Sequence, residues 1–328
     1  GIPLVELVAK EGLALINGTQ VMTAVGAIAV YNAINLLKLS DITAAMTLEA
    51  LRGIRNAFDP RVQEVRPHKG QIQTAKNMLS LIEDSSSITN QGEMRTQDAY
   101  TLRCVPQVHG ASKDAINYVK EKVEIEVNSA TDNPIVFENG DVISGGNFHG
   151  QPMALSFDFL GIAVAELANI SERRLERLVN FQLNDLPPFL VKNGGVNSGF
   201  MITQYAAAAL VSENKVLAHP ASVDSIPSSA NQEDHVSMGT IAARKSLDIL
   251  NNARRVLATE LMAACQAIDF RDRIKLGKGT SEAYKVIREK VSFIEEDKIM
   301  YKELDKCEEL MINGELLEAV EKKVDLKI

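Results

Sequence analysis

The chain of 328 residues contains no tryptophan, three cysteines and only 5% aromatic residues. Cys104, Cys265 and Cys307 are far apart and odd in number, so they do not form a disulfide framework and they suit a reducing compartment. We therefore expect a cytoplasmic location. With so few aromatic side chains, the core is expected to consist of Ala, Leu, Ile and Val, as in helical proteins.

Clusters of positive charge are also missing. The 35 Lys and Arg residues are outnumbered by 43 Asp and Glu residues, which gives a formal net charge of -8. Nucleic-acid backbones and anionic membrane surfaces are bound by clustered Lys and Arg. The composition therefore predicts neither a nucleic-acid partner nor a membrane partner.

Several catalytic signatures are absent as well. The sequence has no GxGxxG and no GxSxG motif, and its five histidines show neither HExxH nor another paired-ligand spacing. The segment 277–280 looks like the end of a phosphate loop but lacks the upstream glycine and a preceding strand. These absences argue against nucleotide binding and serine-hydrolase chemistry, and we expect no metal ion.

Long apolar segments dominate what is present. Residues 21–37 carry no charge, but they are short for a membrane span and polar residues interrupt them, so a helix buried in protein is the better interpretation. Residues 153–170 and 200–210 are similar, and the second of these contains four consecutive alanines. Several helices that are apolar nearly all round predict a bundle with an enclosed centre.

The remaining patterns place other elements around these helices. Apolar residues recur at helical spacing over residues 116–127 and 247–261. Ser40-Asp41 has the composition of a helix cap, and Thr280 opens a further helix. Residues 135–143 read as a β-hairpin that turns on Asn139-Gly140.

We therefore predict an all-α fold, a long-helix bundle with one small hairpin near residues 135–143. Residues 1–270 are expected to form the central part with the active-site loops, and residues 271–328 a peripheral tail of two or three helices.

Polar residues gather at five breaks between the apolar helices. Taken singly, each has a structural explanation: Asn17-Gly18-Thr19 can be a helix C-cap followed by an N-cap, and residues 231–235 a capped helix start. Gln97, Tyr100 and Arg103 are spaced three apart, so on a helix they share one face. The planar fork of Arg103 suits a carboxylate, although a solvated helix face with an ordinary ion pair has the same spacing.

Taken together, the breaks resemble the histidine ammonia-lyase family, a group of aromatic amino acid ammonia-lyases. The matching segments are, in chain order, KEGLALINGT (10–19), QDAYTLRC (97–104), SGGNFHG (144–150), NSGFM (197–201), AHPASVDSIP (218–227) and NQEDH (231–235). The resemblance implies a helical bundle shared with fumarase and aspartase, assembled as a homotetramer whose active sites draw on several subunits. It also implies elimination of ammonia from L-histidine to give urocanate.

The resemblance assigns roles to individual residues. Arg103 resembles the clamp on the substrate carboxylate, and Asn17 the amide that contacts the electrophile and the substrate. Glu233 resembles the group that binds the imidazole. The other matching positions are Gln97, a polar contact; Tyr100, a supporting hydroxyl; Phe148, an aromatic wall; and Gln232 and Met201, which line the pocket beside Glu233 and at its far end.

One part of the family pattern does not occur in this sequence. The family's electrophile is methylidene-imidazolone, formed by cyclisation of an internal Ala-Ser-Gly, and no Ala-Ser-Gly is present among the 328 residues. The resemblance places that tripeptide upstream of Asn17, so we expect the chain to correspond to the C-terminal two-thirds of a lyase. The missing part would be a separate subunit, a cleaved segment or simply absent, and we expect the chain to be inactive without an N-terminal segment or partner chain.

Two alternatives remain open from the sequence. The first is a lyase or aminomutase that acts on another aromatic amino acid, against which the carboxylate of Glu233 argues. The second is a non-catalytic helical scaffold, which has no physical need for the set of polar residues at the breaks.

Overall fold

The computed structural model describes residues 2–328, and within that range it is built from twelve α-helices and one two-stranded sheet. The helices are α1 (Glu11–Asn17), α2 (Gln20–Ala50), α3 (Pro60–Glu64), α4 (Lys69–Leu81), α5 (Tyr100–Arg103), α6 (Val105–Glu126), α7 (Gln151–Val179), α8 (Met201–Leu217), α9 (Gly239–Asp269), α10 (Thr280–Lys290), α11 (Met300–Ile312) and α12 (Glu315–Glu321). Short 3₁₀ turns cover Arg55–Phe58, Pro188–Leu190 and Ser229–Asn231.

The predicted hairpin is present but small. Strands β1 (Ile135–Val136) and β2 (Val142–Ile143) pair antiparallel, and Gly140 takes a φ of +88° at the turn between them. The predicted all-α class is confirmed, and the tail contains α10, α11 and α12, with Thr280 as the first residue of α10.

Three long helices, α2, α7 and α9, form the centre and run in the same direction. Their first residues meet around Met22, because a Cβ on Gly150 or on Gly239 would lie 2.6 Å or 2.5 Å from the Met22 side chain. Beyond the last turn of α9, Arg271 donates to the last carbonyl of α2 at 2.8 Å and to Asp185, which follows α7, at 2.6 Å. We call these places the amino end and the carboxyl end of the bundle; they are about 45 Å apart, the length of a 31-residue helix.

Asp41 anchors a buried polar network in the middle of α2, so the prediction that Ser40-Asp41 caps a helix was wrong. The carboxylate of Asp41 accepts hydrogen bonds from Lys113 at 2.6 Å, from His109 at 2.8 Å and from Asn77 at 2.8 Å. Burial alone would raise the pKa of Asp41, but the ammonium of Lys113 and the imidazole of His109 outweigh it and hold that pKa below its ordinary value.

The network continues to α7 and α9. Arg174 donates to both carboxylate oxygens of Glu260, at 2.6 Å and 2.9 Å, and also lies 3.3 Å from Nε2 of His109. A guanidinium only donates, so the neutral His109 carries its proton on Nδ1 and donates to Asp41. Burial lowers the pKa of His109, which keeps the ring neutral. Lys113 and Arg174 then balance the two carboxylates.

The enclosed centre is confirmed for the second half of α2 and for most of α7 and α9, but the prediction was wrong for the apolar segment 200–210. Only Thr203, Ala207 and Asn214 are buried within α8, and its apolar residues Ile202, Tyr205 and Val216 are exposed. The first half of α2 likewise exposes Val21 and Tyr31. The described chain therefore carries apolar helix faces with no partner inside residues 2–328.

Two helices, α2 and α7, are long and apolar enough to cross a membrane by length and composition alone. Both contain buried charged side chains that bind other helices, such as Asp41 in α2 and Arg174 in α7. That pattern is typical of core helices in a bundle, where a charge is buried only when it is paired.

Candidate functional site

Asn17 lies at the amino end of the bundle, in the break between α1 and α2. Its amide nitrogen lies 3.4 Å from the carboxylate of Asp132. The ammonium of Lys10 lies 2.8 Å from the same carboxylate and holds the pKa of Asp132 below its ordinary value. Gly18 admits no side chain, because a Cβ there would lie 1.8 Å from the Thr131 carbonyl oxygen. The predicted break is confirmed, and the Asn17 side chain itself is exposed.

Phe148 belongs to the same end of the molecule. The loop that carries it precedes α7 and is tied down by Asn133, whose side-chain oxygen accepts from Ser144 Oγ at 3.1 Å and from the Gly145 amide at 2.8 Å. The ring of Phe148 is 39% exposed, so an aromatic face is open at this end.

Gln232 and Glu233 also lie at the amino end, just before α9. The interpretation of residues 231–235 as a capped helix start was wrong, because a 3₁₀ turn covers Ser229–Asn231 and α9 begins only at Gly239. Ser228 and Glu233 pair through their backbones, and Ser228 Oγ donates to one carboxylate oxygen of Glu233 at 2.6 Å. The side chains of Gln232 and Glu233 are otherwise exposed, so the second oxygen of Glu233 is open to a ligand.

A pair of histidines joins these two loops, and sequence reasoning missed it. The rings of His149 and His235 stack at 5.3 Å between centroids with an interplanar angle of 19°. Nε2 of His149 lies 3.3 Å from Nδ1 of His235 and 3.2 Å from its carbonyl oxygen. The two residues are 86 positions apart, so no local spacing could reveal the pair.

Gln97, Tyr100 and Arg103 come together at the carboxyl end. Only Tyr100 and Arg103 lie on α5, and the guanidinium of Arg103 sits 4.6 Å from the centre of the Tyr100 ring. Gln97 precedes the helix, yet it lines the same cavity of about 300 Å³ as Arg103. The Nε of Arg103 is buried and has no hydrogen-bond partner within residues 2–328.

Asp98 fixes the segment that precedes α5. Its buried carboxylate accepts from the backbone amide of Ile54 at 2.6 Å and from Arg95 at 2.7 Å. These bonds attach the Gln97 segment to the residues that follow α2, which is why the three candidate side chains lie at this end.

Met201, the first residue of α8, is also at the carboxyl end. The amides of Ser198 and Gly199 both donate to Asp297 at 2.8 Å, which fixes the approach to the helix. Gln266, in the last turn of α9, donates at 3.1 Å to the carbonyl of Leu190, which lies in the loop before α8. This bond places that loop at the carboxyl end.

The structure therefore separates the predicted site residues into two groups. Asn17, Phe148, Gln232 and Glu233 lie at the amino end, whereas Gln97, Tyr100, Arg103 and Met201 lie at the carboxyl end. A small substrate cannot bridge the roughly 45 Å between the ends of a 31-residue helix. Within residues 2–328, no group of three or more His, Cys, Asp or Glu side chains is placed to hold a metal ion.

Comparisons with known proteins give a consistent result. A model of the family "Aromatic amino acid lyase" matches residues 1–289. Over its full length the chain is 75% identical to the histidine ammonia-lyase of Clostridium tetani, of which it covers 64%. It also resembles the crystal structure of histidine ammonia-lyase from Trypanosoma cruzi, with a TM-score of 0.91, 46% identity and coverage of 98% of this chain and 61% of that one.

A tyrosine aminomutase structure from Streptomyces globisporus shares the fold as well. Its TM-score is 0.95 at 38% identity, with 99% of this chain and 66% of that chain covered. The chain thus spans about two thirds of the length of the relatives it matches.

Proposed function

Because the chain belongs to the aromatic amino acid lyase family, we propose that it supplies substrate-binding residues to an enzyme that eliminates ammonia from L-histidine to give urocanate. The identity of 75% to a histidine ammonia-lyase supports this substrate. The observation that carries the proposal is the Arg103 cavity, because Arg103 lines it together with Gln97 and the buried Nε of Arg103 has no hydrogen-bond partner within residues 2–328.

Arg103 binds the carboxylate of the amino acid. A guanidinium offers parallel donors that match both carboxylate oxygens, and such a charge-assisted pair fixes the orientation of the ligand as well as its position. The Tyr100 ring lies beside the guanidinium and restricts its motion. Gln97 lines the same cavity and supplies a further polar contact.

Glu233 binds the imidazole ring at the other end of the substrate. One of its oxygens is held by Ser228, which leaves the other free to accept from a ring N–H. Gln232 lies next to it, and the exposed ring of Phe148 provides an apolar wall. Met201, which belongs to the group at the carboxyl end, lines the far side of the pocket. In the assembled site, a polar partner of this kind discriminates strongly against a substrate that lacks the matching donor.

The complete site lies between copies of the chain. The amino-end group and the carboxyl-end group cannot meet within one chain, so the amino end of one copy must be placed against the carboxyl end of another. The exposed apolar faces of α2 and α8 supply surface for such an assembly. A homotetramer of the complete unit meets this requirement with symmetric contacts.

Members of this family use a protein-derived methylidene-imidazolone, which supplies an electrophile able to activate the amino acid for loss of ammonia. The amide of Asn17 and the exposed face of Phe148 are suited to flank a planar ring with a carbonyl group. The 328 residues contain no Ala-Ser-Gly, so the group must come from a segment outside them. We infer that the chain alone does not turn over histidine and that it gains activity with a segment that carries Ala-Ser-Gly.

Subunit complementation tests this proposal. The chain is co-expressed with an Ala-Ser-Gly segment, and Arg103→Ala and Glu233→Ala are prepared separately and then mixed under conditions that exchange subunits. Each variant alone should lose most urocanate formation. The mixture should recover up to about a quarter of the parental activity, because random assembly places intact ends against each other in that share of sites.

Two variants at the same end serve as the matched control. Asn17→Ala and Glu233→Ala should not complement each other if both residues come from one copy at each site. Equal recovery in both mixtures, or none in either, would contradict a site shared between opposite ends. A parental assembly that eliminates ammonia from L-tyrosine but not from L-histidine would reject the substrate assignment in favour of the aminomutase-like alternative.

A further inference from the structure

The strongest feature outside the predicted site residues is the imidazole pair of His149 and His235. His149 directly follows Phe148, and His235 lies two residues after Glu233. The two loops approach closely here, because a Cβ on Gly150 would lie 2.6 Å from Ser237 Oγ. The pair is therefore a polar contact between the aromatic wall and the loop of the carboxylate.

The hydrogen bonds around the pair define the tautomer of a neutral His149. The backbone amide of Gln151 donates to Nδ1 of His149 at 3.3 Å, so that nitrogen is an acceptor. A neutral His149 therefore carries its proton on Nε2, which faces Nδ1 of His235 at 3.3 Å and the His235 carbonyl oxygen at 3.2 Å. His149 donates and His235 accepts, and the stacked rings restrict sliding of one loop past the other.

We propose that His149 and His235 are positioning residues that hold the Phe148 loop against the Glu233 loop and so fix where the imidazole of the substrate binds. This rests on the proposed function, in which Phe148 and Glu233 contact the substrate. Ser228 holds one oxygen of Glu233 from within its own loop. The imidazole pair adds the contact that ties that loop to a second segment of the chain.

The effect should fall on substrate binding. In the active assembly with an Ala-Ser-Gly segment, His149→Ala and His235→Ala should each raise KM for L-histidine about tenfold, since displacing a binding group by ~1 Å has effects of this size or larger. The value of kcat should change much less. The double variant should be no worse than either single variant, because both substitutions remove the same contact.

Conservative variants separate positioning from general stability. His149→Gln keeps a donor near Nε2 and His235→Asn keeps an acceptor near Nδ1, so both should recover most of the lost affinity. His68→Ala is the matched control, because His68 is exposed and its side chain caps no backbone group. It should leave KM and kcat unchanged.

Hydrogen–deuterium exchange of the 328-residue chain gives a readout that needs no catalysis. His149→Ala should raise exchange in residues 228–237 as well as in its own loop, whereas His68→Ala should raise neither. Unchanged exchange in residues 228–237, or additive effects of the two alanine variants on KM, would overturn the coupling of the loops. If the parental assembly does not turn over histidine, the proposed function fails, and the exchange result still decides whether the imidazoles join the loops.

Discussion

The buried network around Asp41 gives a prediction that can be worked out in detail. Replacing Lys113 by methionine fills a similar volume but removes the cation that lies 2.6 Å from the carboxylate. Asp41, Lys113 and His109 are all fully buried, so water cannot take the place of the lost partner. Removing one member of a buried ion pair typically costs about 3–5 kcal/mol, because the other charge is left uncompensated.

This loss should be visible as a shift in the midpoint of thermal unfolding. An entropy of unfolding of about 2.1 cal/mol/K per residue, taken over 328 residues, converts the loss to a decrease of about 4–7 °C. The deficit should also depend on pH. Lys113 helps to hold the pKa of Asp41 below its ordinary value, so that pKa should rise without Lys113, because His109 alone then opposes the effect of burial. In the variant, Asp41 then binds a proton as the pH falls, which removes the uncompensated buried charge. The difference in stability between the variant and the parent should therefore decrease as the pH falls from 7 towards 4.

The control is the double variant Asp41→Asn/Lys113→Met, which removes both charges while the introduced amide keeps an acceptor for His109. The double variant should be more stable, by at least about 1.5 kcal/mol in the free energy of unfolding, than the sum of the two single losses would give. A difference of this size lies within the coupling expected for contacting residues. Urea and thermal unfolding of all four proteins at pH 7 complete the cycle. If Lys113→Met stays within about 1 kcal/mol of the parent, or if the single losses simply add, the reasoning is refuted.

Two further predictions concern titration and thiol chemistry. Burial, followed by the charge of Arg174, lowers the pKa of His109 from 6.5. Just below pH 6.5, His109 therefore binds a proton in the unfolded chain but not in the folded chain. Below pH 6.5 the stability should therefore fall by up to about 1.4 kcal/mol per pH unit, and urea unfolding between pH 7 and pH 5 should show a flatter profile for His109→Asn. Burial raises the pKa of Cys265 to about 12 and raises that of Cys307 as well. At pH 8, iodoacetamide should therefore label the half-buried Cys104 first in the folded chain, and mass spectrometry after denaturation should show all three labelled; rapid labelling of either buried thiol would contradict the packing of α9 against α11.

The helices were predictable where the signal is local. The periodic segment at residues 247–261 lies in α9, and that at residues 116–127 lies in α6 except for its last residue, which caps the helix. The turn at Asn139-Gly140 needed only a residue that tolerates positive φ. Ser40-Asp41 misled because a capping residue and a buried anchor have the same composition. Asp41 is held by residues 36 to 72 positions away, and such partners leave no trace in local spacing.

The positions of the predicted site residues in the fold could not be derived from the sequence. The resemblance named Asn17, Arg103 and Glu233, yet nothing in the linear order says that α2, α7 and α9 run in parallel and so separate Arg103 from the other two. The exposure of α8 was missed for a related reason, since an apolar helix face has the same sequence whether its own chain or another one covers it.

The parallel course of the three central helices also has an electrostatic consequence. Each helix carries a macrodipole of roughly half a positive charge at its first turn and half a negative charge at its last. None of α2, α7 and α9 has an acidic residue in its first turn, so these partial charges are not neutralised within their own helices. The dipoles of these three helices add instead of cancelling. When the amino end of one copy lies against the carboxyl end of another, partial charges of opposite sign come together. They do so at the place where the two halves of the proposed site would meet.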